Sequence, residues 1–235
     1  MEKSWILVFD SGTGGKYTAE QIREILPCEN YLLYMDKTNC PYGNKSRHKL
    51  KKIVTNAIKK LTQLYNIKLI VIACNTISSV LGEYLKKIFY DIPFIFVLPT
   101  VKTQILQQPT LFLSTKNTAK HNKLLKKYKK YKNVWVYGFA NLAKMIDESS
   151  GDYKKLQPYL SKKLKTFIYK KPVNVVLGCT HFNYIKEQIQ FALKTKVNFY
   201  ENSKKVALLV KENLIALGKI NHKKNKGDWL VIFYI

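Results

Sequence analysis

Continuous apolar runs alternate with stretches of helical periodicity along nearly the whole sequence. The first set of runs covers residues 5–9, 31–35, 68–73 and 93–97. A second covers 110–114, 134–137, 173–178 and 197–200, and a last one covers 229–234. Between the second and third runs, Leu50, Ile53, Val54, Ala57, Ile58, Leu61 and Leu64 recur at helical spacing, as Ile185, Ile189 and Leu193 do later. A strand that is apolar on both faces must be covered on both faces. The pattern therefore predicts an α/β fold of mostly parallel sheets flanked by helices. A polar break at residues 98–109, bracketed by Pro99 and Pro109, predicts a crossover between two similar α/β domains. The first is expected to span 1–98 plus about 205–235, and the second 99–204.

Charge narrows the function classes less than its size suggests. The chain of 235 residues carries 41 Lys and Arg against 15 Asp and Glu, a formal charge of +26. Only Arg23 and Arg47 are arginine, the residue best suited to planar recognition of phosphates and bases. Lysine is spread through every segment, and the densest run, residues 123–133, reads as a solvated helix face. Nucleic-acid binding by such a surface would be nonspecific. No apolar run is long enough to span a bilayer, and the first residues, Met1, Glu2, Lys3 and Ser4, lead straight into a strand-like run. The expectation is a soluble, cytoplasmic protein with no membrane partner.

Cys28, Cys40, Cys74 and Cys179 form no C-x-x-C pair and have no metal-ligand spacing, which leaves buried thiols or reactive ones. Two of them stand at strand ends: "IVIACNT" at 70–76 and "VVLGCTHF" at 175–182. In a parallel α/β sheet, ligands gather beyond the carboxyl ends of strands. A third strand end, "VFDSGTGG" at 8–15, places Asp10 and Ser11 there, followed by glycines that match neither a dinucleotide fingerprint nor a P-loop. Taken singly, each feature has a plain structural explanation. Asp10 and Ser11 cap a turn, each cysteine packs as a small hydrophobe, and Pro41-Tyr42-Gly43 is an ordinary turn. A thiol at a helix N-terminus also meets exposed amides, which favour thiolate. His181 beside Cys179 can exchange a proton with it.

Together the four segments "VFDSGTGG", "DKTNCPYGNKS" (36–46), "IVIACNT" and "VVLGCTHF" resemble glutamate racemase, of the cofactor-independent amino-acid racemases, in order and spacing. The resemblance runs from about residue 5 to 200. It implies two α/β domains with the active site in the cleft between them, a homodimer, and no cofactor or metal. It carries the acid/base pair onto Cys74 and Cys179, with Asp10 and His181 assisting. Substrate contacts fall on Asp10, Ser11, Pro41, Tyr42, Gly43, Cys74, Asn75, Thr76, Cys179, Thr180 and His181, and on Thr115 and Thr118. Neither arginine lies in a matching segment, so substrate carboxylates are expected to meet amides, hydroxyls, Asn75 and helix N-termini. Asp147 falls where the family carries an acidic residue, and Cys40 is a thiol the family pattern does not call for. The implied activity is interconversion of L- and D-glutamate, supplying D-glutamate for peptidoglycan. The alternatives are a racemase of aspartate or another acidic amino acid, and an inactive relative serving as a basic nucleic-acid or protein-binding module.

Overall fold

The computed structural model describes residues 3–222 and 225–233. Met1, Glu2 and Tyr234, the last residue of the expected final strand, lie outside the described residues. The strands are β1 (Ser4–Asp10), β2 (Asn30–Met35), β3 (Asn66–Ile72), β4 (Phe94–Phe96), β5 (Thr110–Thr115), β6 (Val134–Phe139), β7 (Asn174–Gly178), β8 (Asn198–Tyr200) and β9 (Trp229–Ile232). They form two all-parallel sheets, ordered β4-β3-β1-β2-β9 and β6-β5-β7-β8. The helices are α1 (Gly14–Ile25), α2 (Arg47–Leu64), α3 (Asn75–Ile88), α4 (Thr103–Leu106), α5 (Lys116–His121) and α6 (Lys123–Tyr128). After these come α7 (Leu142–Glu148), α8 (Gln157–Ile168), α9 (Lys186–Leu193) and α10 (Ser203–Ala216). The α/β class expected from the alternation is the one observed.

Strand periodicity explains the layers, because successive side chains leave opposite faces. From β1, Leu7 and Phe9 enter a core with Leu50, Val54, Ile58 and Leu61 of α2 and Ile77, Leu81 and Leu85 of α3. Ile6 and Val8 enter the opposite core with Ala19 and Ile22 of α1 and Val206, Val210 and Leu214 of α10. The second sheet repeats the arrangement. Leu111 and Leu113 face α7, α8 and α9, while Phe112 and Val176 face Leu106 and Leu125. The periodic positions 50–61 are all buried except Ile53, while Leu64 at the helix end is 60% exposed.

Chain order places the catalytically interesting loops. β2 is added on one side of β1, and the chain then crosses to the other side to form β3. In the second sheet, β6 is added beside β5 before the chain crosses back to form β7. Each sheet therefore reverses once, between β1 and β3 and between β5 and β7. Such reversals open a crevice at the carboxyl ends of the strands. Helix α10 returns from the second sheet to pack on α1, and β9 pairs with β2. Lys68 on β3 anchors that return: its Nζ lies 2.5 Å from Glu29 Oε2 and 2.7 Å from the carbonyl of Lys219. Among the described residues, no helix is long and apolar enough to cross a membrane.

Candidate active site

The two reversal points supply the four loops that meet in the crevice. Asp10 ends β1 and Ser11 follows it, and Cys74 with Asn75 and Thr76 follows β3 into α3. Thr115 ends β5 and Thr118 lies in α5 after it, and Cys179, Thr180 and His181 follow β7. The loops interlock through hydrogen bonds that cross from one sheet's loops to the other's. Thr180 Oγ1 donates to Asp10 Oδ2 at 2.8 Å, and the Thr76 and Thr115 hydroxyls lie 2.9 Å apart. Thr118 Oγ1 completes that cluster, 3.0 Å from Thr115 and 3.4 Å from Thr76. Neither thiol is open to bulk water: Cys74 is 5% exposed and Cys179 6%.

Each thiol has its own polar companion. Ser11 Oγ lies 3.5 Å from Cys74 Sγ, and the Ser11 amide and hydroxyl both donate to Asp10 Oδ1. On the other side, Cys179 Sγ is 3.7 Å from His181 Nδ1, and His181 Nε2 is 3.1 Å from Asp147 Oδ2 on α7. Thr13 donates to the other Asp147 oxygen, and the Cys40 thiol donates to Asp147 Oδ2 at 3.4 Å. Gly12 leaves the room for this cluster. A Cβ there would lie 2.5 Å from Asp147 Oδ2 and 2.7 Å from His181 Nε2.

The electrostatics separate the groups. Burial works to raise Asp147, but hydrogen bonds from His181, Thr13 and Cys40 and the His181 charge hold its carboxyl at about 2. Burial opposes charging of His181, yet its bonds to Asp147 and Cys179 carry the imidazole well above its ordinary value. Asp147 and His181 thus form an ion pair. Burial raises the Asp10 carboxyl, against the pull of His181, Thr180 and Ser11. The expectation that a helix N-terminus lowers the Cys74 thiol is corrected here. Cys74 does stand at the N-cap of α3, but burial and the neighbouring Asp10 push its thiol up despite hydrogen bonds from Ser11 and the Ile77 amide. Desolvation of a nearly closed site outweighs the helix end. Burial and Asp147 likewise push the Cys40 thiol up.

The loop that carries Pro41, Tyr42 and Gly43 reaches the crevice at the end of β5. The Tyr42 ring is buried, and its hydroxyl donates to buried Asp36, so the backbone at 41–43 is what remains to face a ligand. A Cβ on Gly43 would lie 2.7 Å from Thr115 Cβ, so the loop abuts the β5 end closely. Asn117 holds it there, donating to the carbonyls of Tyr42 at 3.0 Å and Lys45 at 2.8 Å. Asn117, Thr13 and Asp36 were not among the sequence-derived candidates. Asn117 falls in "STKNTAK", where the nearby threonines draw attention and the asparagine looks like one more helix-start residue. Among the described residues, neither arginine has a hydrogen bond or ion pair to the site residues: Arg23 stacks over Trp229, and Arg47 opens α2 and lines a surface cavity with Ser78, Ser79 and His121. Asn75 Oδ1 is buried with no hydrogen-bond partner, an acceptor available to a ligand's ammonium group.

Comparison with known proteins places the chain in a family. No family model matches the chain. The glutamate racemase of Clostridium novyi (strain NT) is 32% identical over 225 residues, covering 93% of this chain and 86% of that protein. Glutamate racemase 2 of Bacillus subtilis (strain 168) is 32% identical over 234 residues, covering 96% and 86%. Among solved structures, glutamate racemase from Francisella tularensis in complex with D-glutamate superposes with a TM-score of 0.82 at 26% identity, covering 98% of this chain and 87% of that one. With that identity sustained over almost the whole of both chains, this protein belongs to the glutamate racemase family of isomerases.

Proposed function

We propose that this protein interconverts L- and D-glutamate by transferring the α-proton between Cys74 and Cys179, without a cofactor. The reading is carried by one observation: two buried cysteines end strands at the reversal points of two separate sheets, and their loops are hydrogen-bonded to each other. Racemisation removes a weakly acidic proton from one face of the α-carbon and returns one to the other. A thiolate on one face and a thiol on the opposite face meet that requirement, with roles exchanged for the other enantiomer. Asp10, bonded to Ser11 beside Cys74, serves that side. His181, bonded to Asp147, serves Cys179 and can pass it a proton.

Substrate binding falls to neutral donors. The α-carboxylate and γ-carboxylate meet the Thr76, Thr115 and Thr118 hydroxyls and backbone amides at residues 42 and 43 and at the start of α3, while Ser11 and Thr180 give their hydroxyl protons to Asp10 and hold that carboxylate beside the substrate. Asn75 Oδ1 accepts from the α-ammonium. Backbone amides already in place as charge develops on the α-carbon and its carboxylate stabilise the transition state without reorganising. Domain limits at 1–98 with 205–235 and at 99–204, a homodimer, a cytoplasmic location and supply of D-glutamate to a peptidoglycan wall complete the proposal. Polarimetry on a panel of acidic amino acids tests the substrate. Glutamate should turn over at least about tenfold faster than aspartate, since one methylene is worth about 1–3 kcal/mol in a fitted pocket. Equal or faster turnover of aspartate would reassign the substrate.

A further inference from the structure

The cluster at the mouth of the site contains more than proton transfer needs. Cys40 Sγ, Asp147 Oδ2 and His181 Nε2 all lie within 4.8 Å of one another, although the residues are 107 and 34 positions apart in sequence. The measured separations are 3.4 Å from Cys40 Sγ to Asp147 Oδ2 and 3.1 Å from His181 Nε2 to Asp147 Oδ2. Donors at zinc bond lengths on a tetrahedron sit about 3.3–3.6 Å apart. We propose that these three side chains form a site for one zinc-class divalent ion, and that the bound ion switches the racemisation site off. The ion is an inhibitor here and not a cofactor. Its effect on activity rests on the function proposed above, while its binding does not.

The surroundings resemble a supported metal site. His181 is 1% exposed, and its second nitrogen faces Cys179 Sγ at 3.7 Å, which fixes the ring for coordination through Nε2. Thr13 holds the Asp147 oxygen that does not face the cluster, leaving Oδ2 to bind. The donor set of thiolate, imidazole and carboxylate suits zinc or cobalt rather than magnesium or calcium, which take oxygen ligands. Three protein ligands leave a fourth position for water. Binding releases two protons to solvent, one from the Cys40 S–H bond and one from His181 Nε2. No electrons move, and the thiolate and carboxylate balance the two charges of the ion. With its Nε2 lone pair on the metal and Asp147 withdrawn from it, His181 no longer serves Cys179.

Cobalt(II) titration of the metal-free full-length protein reads the site directly. The expected result is a near-ultraviolet thiolate-to-cobalt band that saturates at one equivalent. Cys40→Ser should abolish the band and weaken zinc binding in calorimetry by at least about tenfold, with its thermal unfolding transition unchanged. Cys28→Ser, at the opposite end of the first sheet, should keep both. Absence of the band in the parent protein, or its survival in Cys40→Ser, would overturn the site. In racemisation assays, one equivalent of zinc should lower the parent rate more than tenfold, with recovery on chelation, and should leave Cys40→Ser unaffected. Zinc bound at this site with an unchanged rate would overturn the switch. A cobalt band in a protein that never racemises glutamate would overturn the racemase reading and uphold the metal site.

Discussion

Replacing Gly12 by alanine probes the cleft with one methyl group. The new Cβ would lie 2.5 Å from Asp147 Oδ2 and 2.7 Å from His181 Nε2. Ordinary contact begins near 3.4 Å, so the carboxylate must retreat by about 0.9 Å and the imidazole by about 0.7 Å. Either shift breaks the 3.1 Å bond between them. Asp147 keeps 17% of its side chain exposed and can swing toward water, so the larger displacement falls on it, while the His181 ring, 1% exposed, gives the smaller one. Moving a side chain off its rotamer costs about 0.5–1.5 kcal/mol in stability. The lost bond is charge-assisted and worth about 1.5–3 kcal/mol. If His181 acts only while Asp147 holds it, that loss appears as a fall of roughly 10- to 150-fold in kcat/KM. Racemisation rate and urea unfolding should be measured on the same preparation. Gly82→Ala on α3 is the control, because its Cβ would meet Phe96 at an ordinary 3.6 Å and helical Gly→Ala adds about 0.5–1 kcal/mol of stability. Gly12→Ala with parent kcat/KM would refute the role given to the Asp147–His181 pair.

Three further outcomes follow from particular contacts. Lys68→Met should cost about 3–5 kcal/mol in urea unfolding by leaving buried Glu29 without its cation, and Lys68→Met/Glu29→Gln should recover at least half; an additive double variant would contradict the pairing. Tyr42→Phe should lose about 1–3 kcal/mol of stability by removing a donor to buried Asp36, with kcat changed less than twofold; a large kcat loss at full stability would instead give the hydroxyl a place in the reaction. Burial and Asp10 hold the Cys74 thiol above the ordinary value, and only thiolate alkylates. In protein whose other cysteines are serine, the alkylation rate should therefore keep climbing with pH beyond about 8.5, and a plateau below that value would contradict the burial argument.

The layers could be read from the sequence because the physics that sets them is local. Leu50, Val54, Ile58 and Leu61 fall on one helical stripe, and apolar runs such as 5–9 can only be strands buried on both faces. The strand-end positions of Asp10, Cys74 and Cys179 could be read for the same reason. The partners that complete the site could not. Thr13 and Asp147 are 134 positions apart and His181 lies 34 beyond, so only the folded chain brings them together. Asn117 supports the loop at 42–45 through backbone carbonyls, which leave no trace in side-chain pattern. The Cys74 thiol was misjudged because the helix end is a local feature while burial is a property of the whole cleft.

The most direct test of two-base proton transfer follows deuterium at the α-carbon. Each glutamate enantiomer is incubated in D2O with the parent protein, Cys74→Ala and Cys179→Ala, and both enantiomers are analysed early in the reaction. Transfer between Cys74 and Cys179 predicts deuterium in the newly formed enantiomer while the remaining substrate stays protiated, with racemisation abolished in both variants. Equal labelling of substrate and product by the parent, or racemisation that survives loss of either cysteine, would contradict it.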